Sequence, residues 1–211
     1  MLSKNFQKFV ACLMFGVVMF GVVPAWGTSF FETTKEKAEN GEGESQFYLG
    51  LMYYLGEDVA KNYQEALKWI RRAAEENGHV EAQFILGFMY NEGIGTTQNY
   101  NEAVRWFRKA AEQGHAKAQF NLGNAYYKGK GVKQDYSEAV KWLRKAAQQG
   151  LADAQSNLGI AYYTGHGVKK DYSEAVKWIR KAAHQGLTNA QEILKDIKST
   201  RRNMVKGVFR K

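Results

Sequence analysis

Apolar residues in the body of the chain recur with the spacing of paired amphipathic helices. Within residues 116–151, Ala118, Leu122 and Tyr126 repeat at a step of four, which places them on one face of a helix, here called helix A. The glycine at Gly129 then ends the pattern. A second apolar face follows and defines helix B; its members are Ala139, Trp142, Leu143, Ala146 and Ala147. The pattern therefore predicts a helix–turn–helix unit.

This unit is repeated along the chain. Tryptophans stand at 69, 106, 142 and 178, and glutamines keep nearly the same step at 46, 83, 119, 155 and 191. A fixed period in the range of about 20–50 residues indicates stacked repeats, because one helix pair cannot cover its own apolar face. We predict four repeats, at residues 44–79, 80–115, 116–151 and 152–187.

Polar residues predict where each helix B begins and ends. Each one is preceded by an acceptor side chain with a glutamate three residues later, the spacing of a capping box. The pairs are Asn62/Glu65, Asn99/Glu102, Asp135/Glu138 and Asp171/Glu174. A glycine follows every helix B, where a C-terminal cap is expected. In the first repeat Asp58 replaces a loop glycine, and aspartate tolerates the left-handed conformation.

These motifs resemble the Sel1-like repeat family, a relative of the tetratricopeptide repeat. The segments AQFxLGxxYxxGxG and DYSEAVKWLRKAAxxG stand at 118–150 and, with small changes, at 82–114 and 154–186. The resemblance covers about residues 44–197. It implies an all-α, right-handed α/α superhelical solenoid of helix–turn–helix repeats, with a concave face of A helices used for protein contacts.

The resemblance also implies which side chains face the groove. With tetratricopeptide geometry, these are the A-helix positions at −5, −2, +2, +5 and +6 from the central leucine. The predicted groove residues are Phe84, Phe88, Asn91, Lys117, Phe120, Asn124, Tyr127, Lys128, Ser156 and Tyr163. Aromatic anchors with polar companions suit an extended peptide or a partner helix. The alternative is that several of these aromatics pack within the repeats.

The first 27 residues have the pattern of a secretory signal peptide. Lys4 and Lys8 precede a charge-free run from Phe9 to Val23, and Ala25 and Gly27 are the small pair before a cleavage site. We predict cleavage after Gly27, which leaves a mature chain without cysteine. An uncleaved membrane anchor is the alternative. The predicted location is a bacterial periplasm, with secretion as the second choice.

Both ends of the repeat array carry predicted caps. Residues 28–43 are interpreted as an N-terminal capping helix, and residues 188–198 as a C-terminal one. Residues 199–211 form a basic tail that contains no acidic residue. Its predicted ligand is an anionic surface or an acidic protein rather than nucleic acid, and the alternative is a solubilising end.

No residue pattern indicates an active site, and we predict no catalytic residue, no metal and no cofactor. His79 and His115 hold the same slot in neighbouring repeats, and the GxG segments join helices without a phosphate-binding Lys-Ser/Thr. Serine acyl-enzyme motifs such as Ser-x-x-Lys do not occur. Disulfide-bearing members of the resembled family include penicillin-binding proteins, but their cysteine pair is missing after residue 27.

We therefore predict an exported, non-catalytic scaffold that binds a partner protein or peptide in its groove. The sequence does not identify that partner. Three alternatives remain at this point: an envelope enzyme or binding protein of the cell-wall or β-lactam type, a secreted host-directed effector, and an immunity or regulatory partner of a neighbouring gene's product. No transmembrane span is expected after cleavage.

Overall fold

The computed structural model describes residues 30–197, and throughout that range the chain consists of helices joined by turns and loops. The predicted all-α repeat fold is confirmed. The helices are α1 (Phe30–Glu39), α2 (Gly43–Leu55), α3 (Tyr63–Glu76), α4 (Val80–Glu92), α5 (Tyr100–Glu112), α6 (Ala116–Lys128), α7 (Tyr136–Gln148), α8 (Ala152–Thr164), α9 (Tyr172–His184) and α10 (188–197). The predicted signal peptide, its cleavage site and the basic tail lie outside the described residues.

The first of two compact units ends at His79. Within it, α2 and α3 form one helix pair and α1 packs against α2. Ala38 of α1 joins Leu49 and Trp69 in one buried cluster. The buried Gln46 of α2 donates a hydrogen bond from its side chain to the carbonyl of Ala38, at 3.3 Å. Helix α1 therefore covers the apolar face of the first A helix.

The second unit begins at Val80 and contains three helix pairs, α4/α5, α6/α7 and α8/α9. The B helix of one pair packs on the A helix of the next, so α5 contacts α6 and α7 contacts α8. At the end of this unit α10 closes a buried cluster that contains Ile179, Ala182, Ala190 and Ile197. The apolar face of each helix pair is thus completed by its neighbour.

The predicted N-caps of the B helices are confirmed, but the capping box is only half formed. The side chain of Asp135 accepts from the backbone N–H of Glu138, and the other three caps do the same. The reciprocal bond is missing because the N–H of Asp135 already donates to the carbonyl of Tyr126. Glu138 is therefore left to pair with Lys141 on the exposed face. The equivalent glutamates 65, 102 and 174 make the same i,i+3 ion pairs.

Glycines are required where helices A and B approach most closely. A Cβ built on Gly123 would lie 2.9 Å from Cγ of Leu143 and 3.2 Å from the carbonyl oxygen of Ala139. Any side chain there would force α6 away from α7.

Asp58, in the loop between the two helices of the first repeat, has φ 58°. This confirms that the aspartate adopts the left-handed conformation in place of the loop glycine.

The repeating tryptophans belong to the core, as predicted. Trp69, Trp106, Trp142 and Trp178 are all at most 9 % exposed. In the second unit, a lysine three residues further along the same helix covers each ring, with Nζ between 4.1 and 4.5 Å from the ring centroid. The lysine stems close the outer side of the indole, and their charged ends remain near solvent.

Candidate binding surface

The three A helices of the second unit carry all ten predicted groove residues, and these differ in burial. Phe84 and Ser156 are buried, at 4 % and 3 % exposure. Lys128 is exposed. The half-buried members are Phe88, Asn91, Lys117, Phe120, Asn124, Tyr127 and Tyr163. Phe84 and Ser156 are consequently part of the packing between helices and offer little surface to a ligand.

Phe84, Phe120 and Ser156 occupy the same position in successive A helices, and their contacts show how these helices pack on their neighbours. The ring of Phe84 stacks on the imidazole of His115, with centroids 4.5 Å apart. Phe120 packs against a buried core cluster, and so does Leu151, the residue at the position equivalent to His115. Ser156 has the smallest side chain in this series, and its hydroxyl finds no hydrogen-bond partner among the described residues.

A pocket of about 240 Å³ opens between α4, α5 and α6. Its apolar walls come from Phe88, Val104 and Phe107, and its polar lining contains asparagines and lysines from the predicted groove. The lining residues that the groove prediction included are Phe88, Asn91, Asn124 and Lys128. The structure therefore brings four predicted residues from two successive A helices together at one concavity.

Three polar side chains of the pocket lie outside the positions that the groove rule considers. Tyr100 is the first residue of α5, Asn121 precedes the central leucine of α6, and Lys130 lies in the loop after α6. The groove rule considers only fixed positions on helix A, and so it could not find a residue from helix B or from a loop. The GxG motif marks the loop that carries Lys130, and this motif could have identified the loop as part of the binding surface.

The polar groups of the pocket are only partly engaged with one another. Asn124 accepts a hydrogen bond from Asn157 at 3.0 Å, and Asn91 donates to the carboxylate of Glu92 at 2.6 Å. Lys117, nearer the start of α6, has its pKa lowered because burial disfavours the charged ammonium. Amide groups thus provide both donors and acceptors beside an apolar surface.

Aromatic side chains continue from this surface onto the adjoining loops. Tyr127 packs edge to face on Tyr136, with centroids 5.0 Å apart, and its hydroxyl lies 3.1 Å from Nδ1 of His166. His166 in turn stacks on the ring of Tyr136 at 4.9 Å. In the last repeat Tyr163 and Tyr172 form the equivalent pair at 5.4 Å.

The histidines and carboxylates singled out in the sequence have structural contacts. His115 is the N-cap of α6, where Nδ1 accepts the backbone N–H of Ala118 at 3.1 Å. His79 stacks on Phe47 at 4.6 Å. Asp135 and Asp171 cap helices, as described above. Within residues 30–197 there is no cluster of three or more His, Cys, Asp or Glu side chains that could hold a metal ion.

A second set of residues that the sequence marked only by their spacing forms hydrogen bonds both within a repeat and to the preceding one. Gln83, Gln119 and Gln155 are buried, and each accepts from the glutamine that ends the following helix B at 2.8 or 2.9 Å. Gln119 also donates to the carbonyl of Ala111 in the preceding helix B, at 3.1 Å. This ladder fixes the A helices that carry the binding surface.

The chain was also compared with protein families. A model described as Sel1 repeat matches residues 43–78, 80–115, 116–151 and 152–187. These four segments together make up more than half of the chain. None of the helices within residues 30–197 is both long and apolar enough to span a lipid bilayer.

Individual relatives are similar over part of their length. The secretory immunoglobulin A-binding protein EsiB of Escherichia coli O6:H1 is 43 % identical over 67 residues, which is 32 % of this chain and 14 % of that protein. A protective antigen of uropathogenic Escherichia coli, with an SLR fold, has 44 % identity and a TM-score of 0.74 over 77 % of this chain and 35 % of that one.

A Sel1 repeat protein from Oxalobacter formigenes has 40 % identity and a TM-score of 0.72, over 79 % of this chain and 48 % of that one. This chain therefore spans less than half the length of each of these three relatives.

Proposed function

Because this chain belongs to the Sel1 repeat family, we propose that it is an exported, non-catalytic scaffold that holds a partner protein or peptide against helices α4, α6 and α8. The observation that carries the proposal is the pocket at Phe88, where residues from α4 and α6 predicted to face a groove converge. These helices are held by buried contacts before any partner arrives, which lowers the entropy lost on binding.

The composition of this surface favours a polypeptide ligand. The half-buried Phe88 offers apolar area to one side chain, and the amides of Asn91, Asn121 and Asn124 can pair with the N–H and C=O groups of a peptide main chain. Protein interfaces commonly place a few aromatic anchors among adaptable polar groups. Such a surface recognises an extended segment by its side chains while it satisfies the main chain.

Affinity capture from a cell-envelope extract tests the scaffold, with the segment 28–211 as bait and mass spectrometry as the readout. The Asn121→Arg variant places a long charged side chain in the pocket, and Ser137→Arg adds the same side chain at an exposed position of α7. We expect one dominant protein with the parent chain and with Ser137→Arg, and its loss with Asn121→Arg. Equal capture by all three baits would contradict binding at this surface.

The proposal that the protein is non-catalytic is supported by the structural roles of its polar residues. His115, Asp135 and Asp171 act as helix caps, which requires their side chains to stay on backbone N–H groups. The alternative of a β-lactam-hydrolysing envelope enzyme is tested with nitrocefin and purified 28–211. We expect no hydrolysis above buffer. Turnover that is abolished by Asn121→Arg would establish the enzyme instead.

Export is supported by the sequence of residues 1–27 and by the similarity to bacterial proteins that include a protective antigen. We expect the full chain, when expressed in a bacterium, to appear in the periplasm with Thr28 as its first residue. Cell fractionation and the intact mass of the purified protein measure this. A cytoplasmic product that retains Met1 would refute export.

A second candidate partner is favoured by the 43 % identity to EsiB, which is named for binding secretory immunoglobulin A. If this chain is a host-directed effector, immobilised secretory immunoglobulin A should retain it, and Asn121→Arg should weaken retention. Serum albumin on the same surface is the control ligand. Equal retention on albumin would remove this candidate.

A further inference from the structure

Among the loops between helices A and B of the second unit, the last two carry lysines. Between Val80 and residue 197 there are 16 Lys and Arg and 11 Asp and Glu. The loop after α4 has no charged side chain, whereas those after α6 and α8 contribute four lysines. Together with the end of α6 they form a set that we call the lysine edge: Lys128, Lys130, Lys133, Lys169 and Lys170.

The carboxylates that follow the two loops are engaged as helix caps rather than in ion pairs with these lysines. Asp135 and Asp171, the carboxylates that follow the two loops, accept backbone N–H groups at the start of α7 and α9. The ion pairs formed in the described part of the second unit involve Arg105, Lys141 and Lys177, all of which lie on B helices. All five lysines of this edge are exposed, and none of them takes part in those ion pairs.

Aromatic rings hold two of these lysines and the loop histidine in defined places. Nζ of Lys130 lies 4.9 Å from the ring centroid of Tyr100, and Nζ of Lys170 lies 5.3 Å from that of Tyr172. His166 stacks on Tyr136. Contact with an aromatic face restricts where a lysine points and keeps its ammonium exposed, so the charges are partly ordered before a ligand binds.

The lysine edge is continuous with the pocket, because Lys128 and Lys130 line both. The pocket has one carboxylate, Glu92, which is engaged by Asn91. The half-buried Phe88 is its main apolar contact, and its volume of about 240 Å³ has room for about one large side chain. A ligand that lies across both features therefore needs one apolar group and several negative charges close to it.

We propose that this combined site binds an acidic peptide segment, with one aliphatic or aromatic side chain in the pocket and its Asp and Glu side chains on the lysine edge. The proposal rests on the scaffold function above and adds the chemical class of the partner. The asparagine amides match a peptide main chain, and the pocket matches a side chain. A nucleic acid would gain little from either feature, since the tyrosine rings are already covered by neighbouring rings and cations.

Fluorescence anisotropy with labelled synthetic peptides tests the site on the 28–211 chain. The probe is a short peptide of Asp and Glu with one central Leu. One control peptide replaces the acids by Asn and Gln, and a second replaces the Leu by Gly. We expect saturable binding of the probe, weaker binding of the Gly peptide, no binding of the neutral peptide, and a fall in affinity as salt is added.

Two charge-matched double variants locate the site. Lys128→Gln/Lys130→Gln removes two charges from the lysine edge, and Lys141→Gln/Lys177→Gln removes two from B helices. We expect the first to raise Kd for the probe about five- to tenfold and the second to leave Kd nearly unchanged. Equal losses in both would show general attraction to a basic protein and would overturn the proposal.

Two further outcomes separate this proposal from the scaffold function. If an oligonucleotide or an anionic lipid vesicle of equal charge binds better than the probe, the acidic-peptide assignment is wrong. If the probe fails while a captured partner is still lost with Asn121→Arg, the scaffold stands and only the ligand class fails. Failure of both experiments would remove both proposals.

Discussion

At the residue scale, positions that are identical in sequence have different surroundings in neighbouring repeats. Trp142 and Trp178 are each 9 % exposed, and each is covered by a lysine at a similar distance. However, Nε1 of Trp178 donates to Glu174 at 3.0 Å, whereas Nε1 of Trp142 is buried without a partner among the described residues. An unpaired buried donor costs free energy, so the two indoles contribute unequally to stability.

We expect Trp178→Phe to reduce the free energy of unfolding by about 1 kcal/mol more than Trp142→Phe does. Both changes remove the same area from matched environments, but only the first loses a hydrogen bond to a carboxylate. Urea denaturation followed by circular dichroism measures the difference. Equal losses in the two variants would show that the bond to Glu174 contributes no stability.

His115 links the stability of α6 to pH. Its imidazole is half-buried, stacks on Phe84 and accepts the N–H of Ala118, and burial lowers its pKa below the ordinary value of 6.5. Of the charged groups near it, Glu81 opposes this shift and Lys117 adds to it. Because the folded state favours the neutral ring, this contribution to stability is complete above pH 6.5 and is lost as the pH falls through the lowered pKa.

We therefore compare the parent chain with His115→Asn, in which an N-cap that does not titrate replaces the imidazole. Between about pH 7.5 and 5, the free energy of unfolding should fall more steeply in the parent chain than in the variant. Urea titrations at each pH provide the values. Parallel pH profiles would mean that the protonation of His115 is not coupled to folding.

At the element scale, buried glutamines connect helices that belong to different repeats. Gln119 of α6 donates to the carbonyl of Ala111 in α5 and accepts from Gln149 at the end of α7. Gln149 also donates to the carbonyl of Gly114 at 2.9 Å. Three successive elements are thereby joined through one side chain, so register between repeats is specified by hydrogen bonds as well as by apolar packing.

Replacing this glutamine should reduce the free energy of unfolding more in the middle of the repeats than in the terminal helix α10. We expect Gln119→Leu to lower the free energy of unfolding by about 1–3 kcal/mol, because it removes the two hydrogen bonds that join α6 to α5 and to the end of α7. Gln191→Leu, at the equivalent but exposed position of α10, should cost much less. Chemical denaturation of the two variants decides this, and equal effects would rule out the ladder as a source of stability.

At the scale of the whole molecule, each unit needs an element that covers its last apolar face. In the second unit α10 has this role, since Ala190 and Ile197 bury against Ile179 and Ala182 of α9. The segment 199–211 contains eight charged or polar residues and only two short apolar pairs, at 204–205 and 208–209, so its apolar periodicity is small. The two C-terminal segments are therefore expected to differ in their effect on stability.

Two truncations separate these segments. A chain that ends at residue 198 should melt at nearly the same temperature as the full chain. A chain that ends at residue 187 exposes the apolar face of α9 and should melt clearly lower. Thermal denaturation followed by circular dichroism measures both. A large loss on removal of 199–211 alone would show that the basic tail contributes to folding.

The sequence by itself determined the local structure, because caps, loop glycines and apolar periodicity act within one helix or one turn. Asp135, Asp58 and Trp142 could be assigned their roles from spacing alone, and the structure confirms those roles. Tertiary structure decided which side chains of different helices and loops meet. It buried Phe84 on His115, added Asn121 and Lys130 to the pocket, and turned the marker glutamines into a hydrogen-bonded ladder. These contacts join residues about 30 positions apart, and their geometry depends on how separate helices pack against one another, which periodicity does not encode.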